Sequence, residues 1–126
     1  MKTYLGVAVG MIAGMALGGF AVQGLNAQTK KAYSITELEL VDAAAQAAYG
    51  PVIQAAQKAA GGRPFNTAGG KIVSMFGTAP ARVAIIEWDS LDDAVAFYKS
   101  KAWTDLAPQR DKSQKTIRRY VVEVER

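Results

Sequence analysis

Side chains alternate in character along Lys31–Leu40, which is the pattern of a β-strand with two unlike faces. Tyr33, Ile35 and Glu37 fall on one face, and the residues between them fall on the other. A second alternating segment, Arg82–Asp89, is largely apolar on both faces. Strands of that kind are usually covered on both sides, so this segment is predicted to be a central strand.

The apolar repeat changes to steps of three and four residues over 41–59, which predicts an amphipathic helix capped by Asp42. Gly50-Pro51 lies inside this segment, and we expect the proline to interrupt the helix with a kink. Ser90 is a good N-cap residue and predicts the start of a second helix. A short helix is expected over 104–112.

Two further segments complete the predicted sheet. A broken strand is expected over 63–77, with its clearest extended part at Lys71–Phe76, and a last strand over 116–125. The order β-α-β-β-α-β is typical of the α+β ferredoxin-like fold, in which two helices cover one face of a four-stranded antiparallel sheet. The opposite face is left bare although its strands are apolar. We therefore expect two copies of the chain to stack these faces in a homodimer.

The first 27 residues differ in composition from the rest. A charged start, an uncharged apolar run over 5–22 and a small residue at Ala27 form the layout of a secretory signal peptide. The alternative is a retained membrane anchor, because glycine recurs every four residues and forms a small-residue stripe for helix packing. Residues 28–126 form one domain that is exported in both cases: periplasmic or secreted after cleavage at Ala27, or held at the inner membrane.

Composition narrows the available chemistry. The chain of 126 residues contains no cysteine and no histidine, which excludes disulfides, thiolate metal sites, histidine-ligated zinc or haem, and the Ser-His-Asp triad. We expect no metal and no cofactor. The 15 basic and 11 acidic residues give a mild, scattered positive charge, so no nucleic-acid partner is expected.

Carboxylates are the first candidates for chemistry. Glu37 and Glu87 lie on predicted strands that are neighbours in a ferredoxin-like sheet, so they are expected to approach each other in one cleft. Paired carboxylates raise one pKa and form an acid–base couple. Arg63 or Arg110 would instead neutralise them or hold an anionic ligand. The alternative is a structural network of ion pairs that fixes the strand ends.

Aromatic residues are the second candidates. Four of them lie close together in the sequence, namely Trp88, Phe97, Tyr98 and Trp103. Such a group either lines an apolar pocket or packs in the core and the subunit interface.

Several short groups of residues occur in the order found in a known family. They are Tyr33-Ser34-Ile35-Thr36-Glu37, Gly61-Gly62-Arg63, Glu87-Trp88-Asp89-Ser90, Phe97-Tyr98-Lys99-Ser100 with Trp103, and Arg110. Together they resemble the domain of unknown function 1330 family of the dimeric α+β barrel group. The resemblance covers Ala32–Glu125.

The resemblance implies a ferredoxin-like protomer and a homodimer built sheet to sheet, without an established activity. Five charged or tyrosine residues match recurring positions of the family, and together with Trp103 of the aromatic group we take them as candidate ligand-binding residues: Tyr33, Glu37, Arg63, Glu87, Trp103 and Arg110. Two departures bear on activity: Trp103 stands where tyrosine is more usual, and Met75-Phe76-Gly77 stands where the family often has Glu-Gly. No residue is assigned a catalytic role.

Three functions are compatible with these observations. The favoured one is an exported, non-catalytic homodimer that binds a small hydrophobic or anionic molecule in a cleft. The second is a cofactor-free oxygenase or isomerase, in which Tyr33, Glu37 and Glu87 would carry the proton transfers and which the lack of histidine disfavours. The third is a membrane-tethered interaction module that uses the glycine stripe.

Overall fold

The computed structural model describes residues 30–125. The predicted signal peptide or anchor over 1–27 lies outside them. The helices and strands follow in chain order: β1 Lys31–Leu40, α1 Ala43–Ala59, β2 Arg63–Pro64, β3 Arg82–Trp88, α2 Leu91–Tyr98, α3 Lys101–Thr104, α4 Ala107–Ser113 and β4 Gln114–Val124. Within residues 30–125, none of the helices has the length and apolar character that a membrane crossing requires.

The four strands form one antiparallel sheet in the order β2-β3-β1-β4. The buried side chains of α1 and α2 share one core with Ile86 and Trp88 of β3, so both helices cover the same face of the sheet. Within residues 30–125, no helix or loop covers the other face. This arrangement is the predicted ferredoxin-like α+β fold, with β3 as a central strand, and the prediction is confirmed.

Both predicted helix caps form. The Asp42 carboxylate accepts a hydrogen bond from the Ala45 amide at 2.8 Å, and the Ser90 hydroxyl accepts one from the Asp93 amide at 3.1 Å. The helix does not end at Pro51, because α1 continues through it to Ala59. Gly50 has no Cβ to clash with the proline ring, which removes part of the usual penalty. The short helix expected over 104–112 is divided into α3 and α4.

The predicted strand at Lys71–Phe76 is also wrong. This segment carries no strand, and its apolar side chains are exposed, up to 99% at Phe76. The outer edge of β3 is already occupied, since the Phe65 amide bonds to the Ile85 carbonyl and the Thr67 hydroxyl bonds to the Val83 carbonyl. Because β3 has only seven residues and its outer edge is already paired, residues 71–76 have no strand with which to form backbone hydrogen bonds. A high strand propensity does not produce a β-ladder without such a partner.

The core is built around the aromatic group found in the sequence. Trp88 and Phe97 lie with ring centroids 5.2 Å apart, and Tyr98 meets Trp103 edge-on at 4.8 Å. Ser34 is fully buried beneath them and its hydroxyl accepts hydrogen bonds from the Trp88 indole at 3.0 Å and the Tyr98 hydroxyl at 2.8 Å. Burial of these polar groups is therefore offset by hydrogen bonds. The aromatic residues pack in the core or against it, and two of them, Tyr98 and Trp103, also line a cavity, so each of the two interpretations holds in part.

Gly62 sets the distance between the end of α1 and the sheet. A Cβ at this position would lie 2.9 Å from both Ile86 Cγ2 and Trp88 Cη2. Such contacts are far inside van der Waals distance, and both neighbours are buried. Close packing at this corner therefore requires glycine.

We expect Gly62→Ala to lower the free energy of unfolding by about 1–3 kcal/mol, because the added methyl overpacks a rigid core. Gly69→Ala is the matched control, since a Cβ there meets nothing within 4 Å. It should change stability by less than about 0.5 kcal/mol. Urea unfolding of both variants measures the difference, and equal stabilities would contradict this account.

Candidate functional site

One end of the bare sheet face carries a polar cluster around Glu87. The Glu87 carboxylate accepts a hydrogen bond from Arg63 at 2.7 Å and one from the Tyr33 hydroxyl at 2.9 Å. Arg63 also reaches Asp89 at 3.0 Å, and Lys31 reaches the same carboxylate at 3.1 Å. Three predicted site residues, Tyr33, Arg63 and Glu87, thus lie together. The Arg63 guanidinium and then the Tyr33 hydroxyl hold the pKa of Glu87 below its ordinary value.

The other end of the same face carries Glu37. Its carboxylate pairs with Arg118 of β4 and accepts a hydrogen bond from the Tyr120 hydroxyl at 3.3 Å. The hydrogen bond from Arg118 is the main reason that the pKa of Glu37 is lowered. Both carboxylates are therefore ionised and paired above mildly acidic pH.

The predicted cleft shared by Glu37 and Glu87 does not exist. In the β1–β3 ladder Tyr33 is opposite Glu87, whereas Glu37 is opposite Val83. Four residues along a strand separate the two carboxylates by about 13 Å, with apolar side chains between them. The same-face prediction is correct, but the offset along the strands is too large for an acid–base couple.

Arg110 and Trp103 lie on the opposite side of the sheet, among the helices. Arg110 is buried in α4, where it donates hydrogen bonds to the Tyr49 hydroxyl and the Trp103 carbonyl, both at 3.3 Å. Its guanidinium carbon lies 3.7 Å from the centroid of the Trp103 ring. The expected polar site of Glu37, Glu87 and Arg110 is thus divided by the sheet itself.

A cavity of about 140 Å³ lies between α1 and the sheet, on the same side as Arg110. We call it the helix-side cavity. Its polar wall includes side chains from α1, β1 and β4 and from the aromatic group, namely Gln46, Tyr49, Gln57, Thr36, Arg119, Tyr98 and Trp103. Its apolar wall includes Leu38, Ile53, Ala84 and Ile86. Concave sites with an apolar lining and a few polar groups are typical of small-molecule binding.

Arg119 is one of two charged residues that line this cavity; the other is Arg82, at the start of β3. Its Nε donates to the Thr36 hydroxyl at 3.0 Å, and one terminal nitrogen donates to the Thr116 hydroxyl at 3.3 Å. Its guanidinium carbon lies 4.6 Å from the centroid of the Trp103 ring. No carboxylate in residues 30–125 forms an ion pair with Arg119. Burial is the main reason that the pKa of Arg119 is lowered, and the nearby Arg110 lowers it further.

Gln46 contributes an acceptor without a donor. Its Oε1 atom is buried and has no hydrogen-bond partner in the part of the chain that the structure describes. A buried acceptor of this kind costs about 1–3 kcal/mol unless something satisfies it. Gln46 is among the residues that line the helix-side cavity, but its Oε1 atom has almost no accessible surface, so a molecule in the cavity does not reach this atom.

Sequence reasoning missed Arg119, Gln46 and Tyr49. The sequence does contain an indication for Arg119. Alternate residues of a strand share a face, so Arg119 lies on the same face as Val121, which packs against the core. A basic residue at such a core-facing position is a candidate for a binding role. Gln46 and Tyr49 lie three residues apart on α1 and share one helix face. Within residues 30–125, no group of three or more side chains that bind metals comes together.

Residues 30–125 form a small α+β protein of ferredoxin-like topology with a partly open cavity between α1 and the sheet. A family model, described as a domain of unknown function (DUF1330), matches residues 31–124, so the chain belongs to this family. The resemblance inferred from the sequence is confirmed. A comparison with curated proteins gives no match.

Two solved structures share the fold. One is the RPA0582 protein of unknown function from Rhodopseudomonas palustris, with a TM-score of 0.56 and 16% identity, covering 88% of this chain and 93% of that one. The other is the methylated RPA0582 protein, with a TM-score of 0.55 and 16% identity, covering 88% and 91%. At this identity the likeness supports the fold alone.

Separate ion pairs at the two ends of the bare face predict separate titrations. We expect Arg63→Met to raise the pKa of Glu87 without moving that of Glu37, and Arg118→Met to do the reverse. Because both folded pKa values are lowered, the stability from each pair is present above the ordinary glutamate pKa of about 4.3 and is lost as pH falls through the lowered value. Carboxyl NMR titration measures the pKa values of both glutamates. If either substitution changed both pKa values, the two carboxylates would interact and the shared cleft would be correct.

Proposed function

We propose that the protein is an exported, non-catalytic homodimer that binds a small molecule in the helix-side cavity of each protomer. One observation carries the binding function: the cavity combines an apolar wall with the guanidinium of Arg119, which forms no ion pair with a carboxylate of residues 30–125. A core that served packing alone would gain stability from an apolar residue here.

The helix above the cavity supports this assignment. α1 presents mostly alanine, and the residues that reach toward the sheet are few, with Tyr49, Ile53 and Gln57 the buried ones. Short side chains leave space that the sheet does not fill. Natural interiors normally close such space, so an open cavity beside polar groups favours a ligand.

The bare face supports assembly. Its central part carries Ile35 and Ile85, which are half-buried, and its β4 edge carries exposed Tyr120, Val122 and Val124. A contiguous apolar sheet face is unusual on a monomer. Stacking it on its own copy around a two-fold axis buries it with matched surfaces. Export rests on the charged start, apolar run and small-residue end of the first 27 residues.

Assembly is tested with two valines of similar exposure. Val122, on the bare face, is 43% exposed, and Val52, on α1, is 41% exposed. We expect the protein to sediment as a dimer at micromolar concentration, Val122→Lys to sediment as a monomer and Val52→Lys to remain a dimer. A buried charge at the interface accounts for the difference. A monomeric wild type, or dimers in both variants, would contradict the proposed assembly.

Ligand binding is tested with phenol as a neutral probe. We expect phenol to shift the amide resonances of the cavity wall in α1 and β3, because a single ring fits the space. Ala84→Ile fills the cavity from β3 and should abolish these shifts. Ala48→Ile, on the exposed face of α1, is the matched control and should retain them. Absent shifts, or shifts unaffected by Ala84→Ile, would contradict binding at this site.

A further inference from the structure

Two cations lie beside one tryptophan without an anion. The guanidinium carbons of Arg110 and Arg119 are 3.7 Å and 4.6 Å from the Trp103 ring centroid. Neither arginine forms an ion pair with a carboxylate of residues 30–125, although six other ion pairs occur in that range. Two like charges in a partly buried place repel each other, and an anion would relieve the repulsion.

Arg119 lines the cavity and has N–H donors that are available to a ligand. A guanidinium has five N–H groups, and the Thr36 and Thr116 hydroxyls receive two of them. The threonines hold the planar group in place at the cavity wall. A fixed guanidinium fork with uncommitted N–H groups matches the two oxygens of a carboxylate.

The size of the cavity limits the remainder of the molecule. An engineered cavity of about 150 Å³ in another protein binds benzene. The helix-side cavity, at about 140 Å³, therefore has room for one six-membered ring. Its walls suit a ring, since Ile53 and Ile86 are apolar and Tyr98 and Trp103 are aromatic.

We propose that the helix-side cavity binds a single-ring aromatic acid whose carboxylate pairs with Arg119. This inference rests on the proposed binding function and specifies its ligand class. It accounts for the arginine that has no carboxylate partner within residues 30–125. Arg110 is a positioning residue, because it holds Trp103 and Tyr49 from outside the cavity wall.

The wild-type protein tests this with 4-hydroxybenzoate and two analogues. Isothermal titration calorimetry at pH 7 is expected to give 4-hydroxybenzoate a dissociation constant on the order of 1 mM or below. The neutral 4-hydroxybenzyl alcohol should bind about 10- to 100-fold more weakly, since it lacks the charge-assisted bonds. Benzoate, which keeps the carboxylate but lacks the hydroxyl, should also bind more tightly than the alcohol.

One variant assigns this preference to its residue. Arg119→Met should abolish the preference for the acid over the alcohol. Lys115→Met removes one positive charge from the same strand at an exposed position and should not change this preference. Arg119→Lys keeps the charge but loses the fork, and an intermediate preference is expected.

Three results would overturn the inference. The first is no binding of 4-hydroxybenzoate by the wild type, and the second is equal affinity for the acid and the alcohol. The third is an acid preference that persists in a folded Arg119→Met variant. If phenol still binds and Ala84→Ile still blocks it, the proposed binding function survives and only the ligand class is wrong.

Discussion

Side-chain alternation along β1 decides where every candidate site residue lies. β1 is a central strand, so its odd-numbered side chains enter the bare face and its even-numbered ones enter the helix side. Tyr33 and Glu37 therefore join their arginine partners on one surface, whereas Ser34 and Thr36 bond to the aromatic residues and to Arg119 on the other. A shift of one residue in the register would exchange the two sets and bury the glutamates. The two faces thus acquire different chemistry from a single strand.

The helix side combines a dense aromatic core with an open cavity, and side-chain size explains both. α2 and α3 supply Phe97, Tyr98 and Trp103, which pack on Trp88 and leave little space. α1 supplies mainly alanine over the adjoining part of the sheet. Alanine has a high helix propensity, but its side chain is too short to reach the sheet. The polar groups around the remaining space are costly to bury alone. A binding role explains why they persist there.

The sequence was sufficient for the fold and for the faces, because both depend on local periodicity. Strand and helix repeats, caps at Asp42 and Ser90, and the same-face position of Glu37 and Glu87 were all predictable. The distance between Glu37 and Glu87 along the ladder was not predictable, because it depends on which residues of β1 and β3 lie opposite each other. The alternation of side chains within one strand does not determine that pairing. The segment 71–76 failed for a related reason: its propensity is that of a strand, but the edge of β3 is already occupied. Arg119 was missed because the charged segment around it resembled a solvated surface.

Phe65, which follows β2, lies next to both the bare face and the helix-side cavity. Its ring lies 6.2 Å from that of Tyr33 on the bare face, and the residue also lines the helix-side cavity. In the single chain Phe65 is 48% exposed. A second copy stacked on the bare face would reach this ring and restrict its motion at the edge of the cavity. Consider a ligand that binds more tightly when this ring is restricted. By thermodynamic linkage, such a ligand would raise the affinity of the two protomers for each other by the same factor as dimerisation raises the affinity for the ligand. The two proposed activities use different surfaces, and Phe65 is the side chain through which they would be coupled.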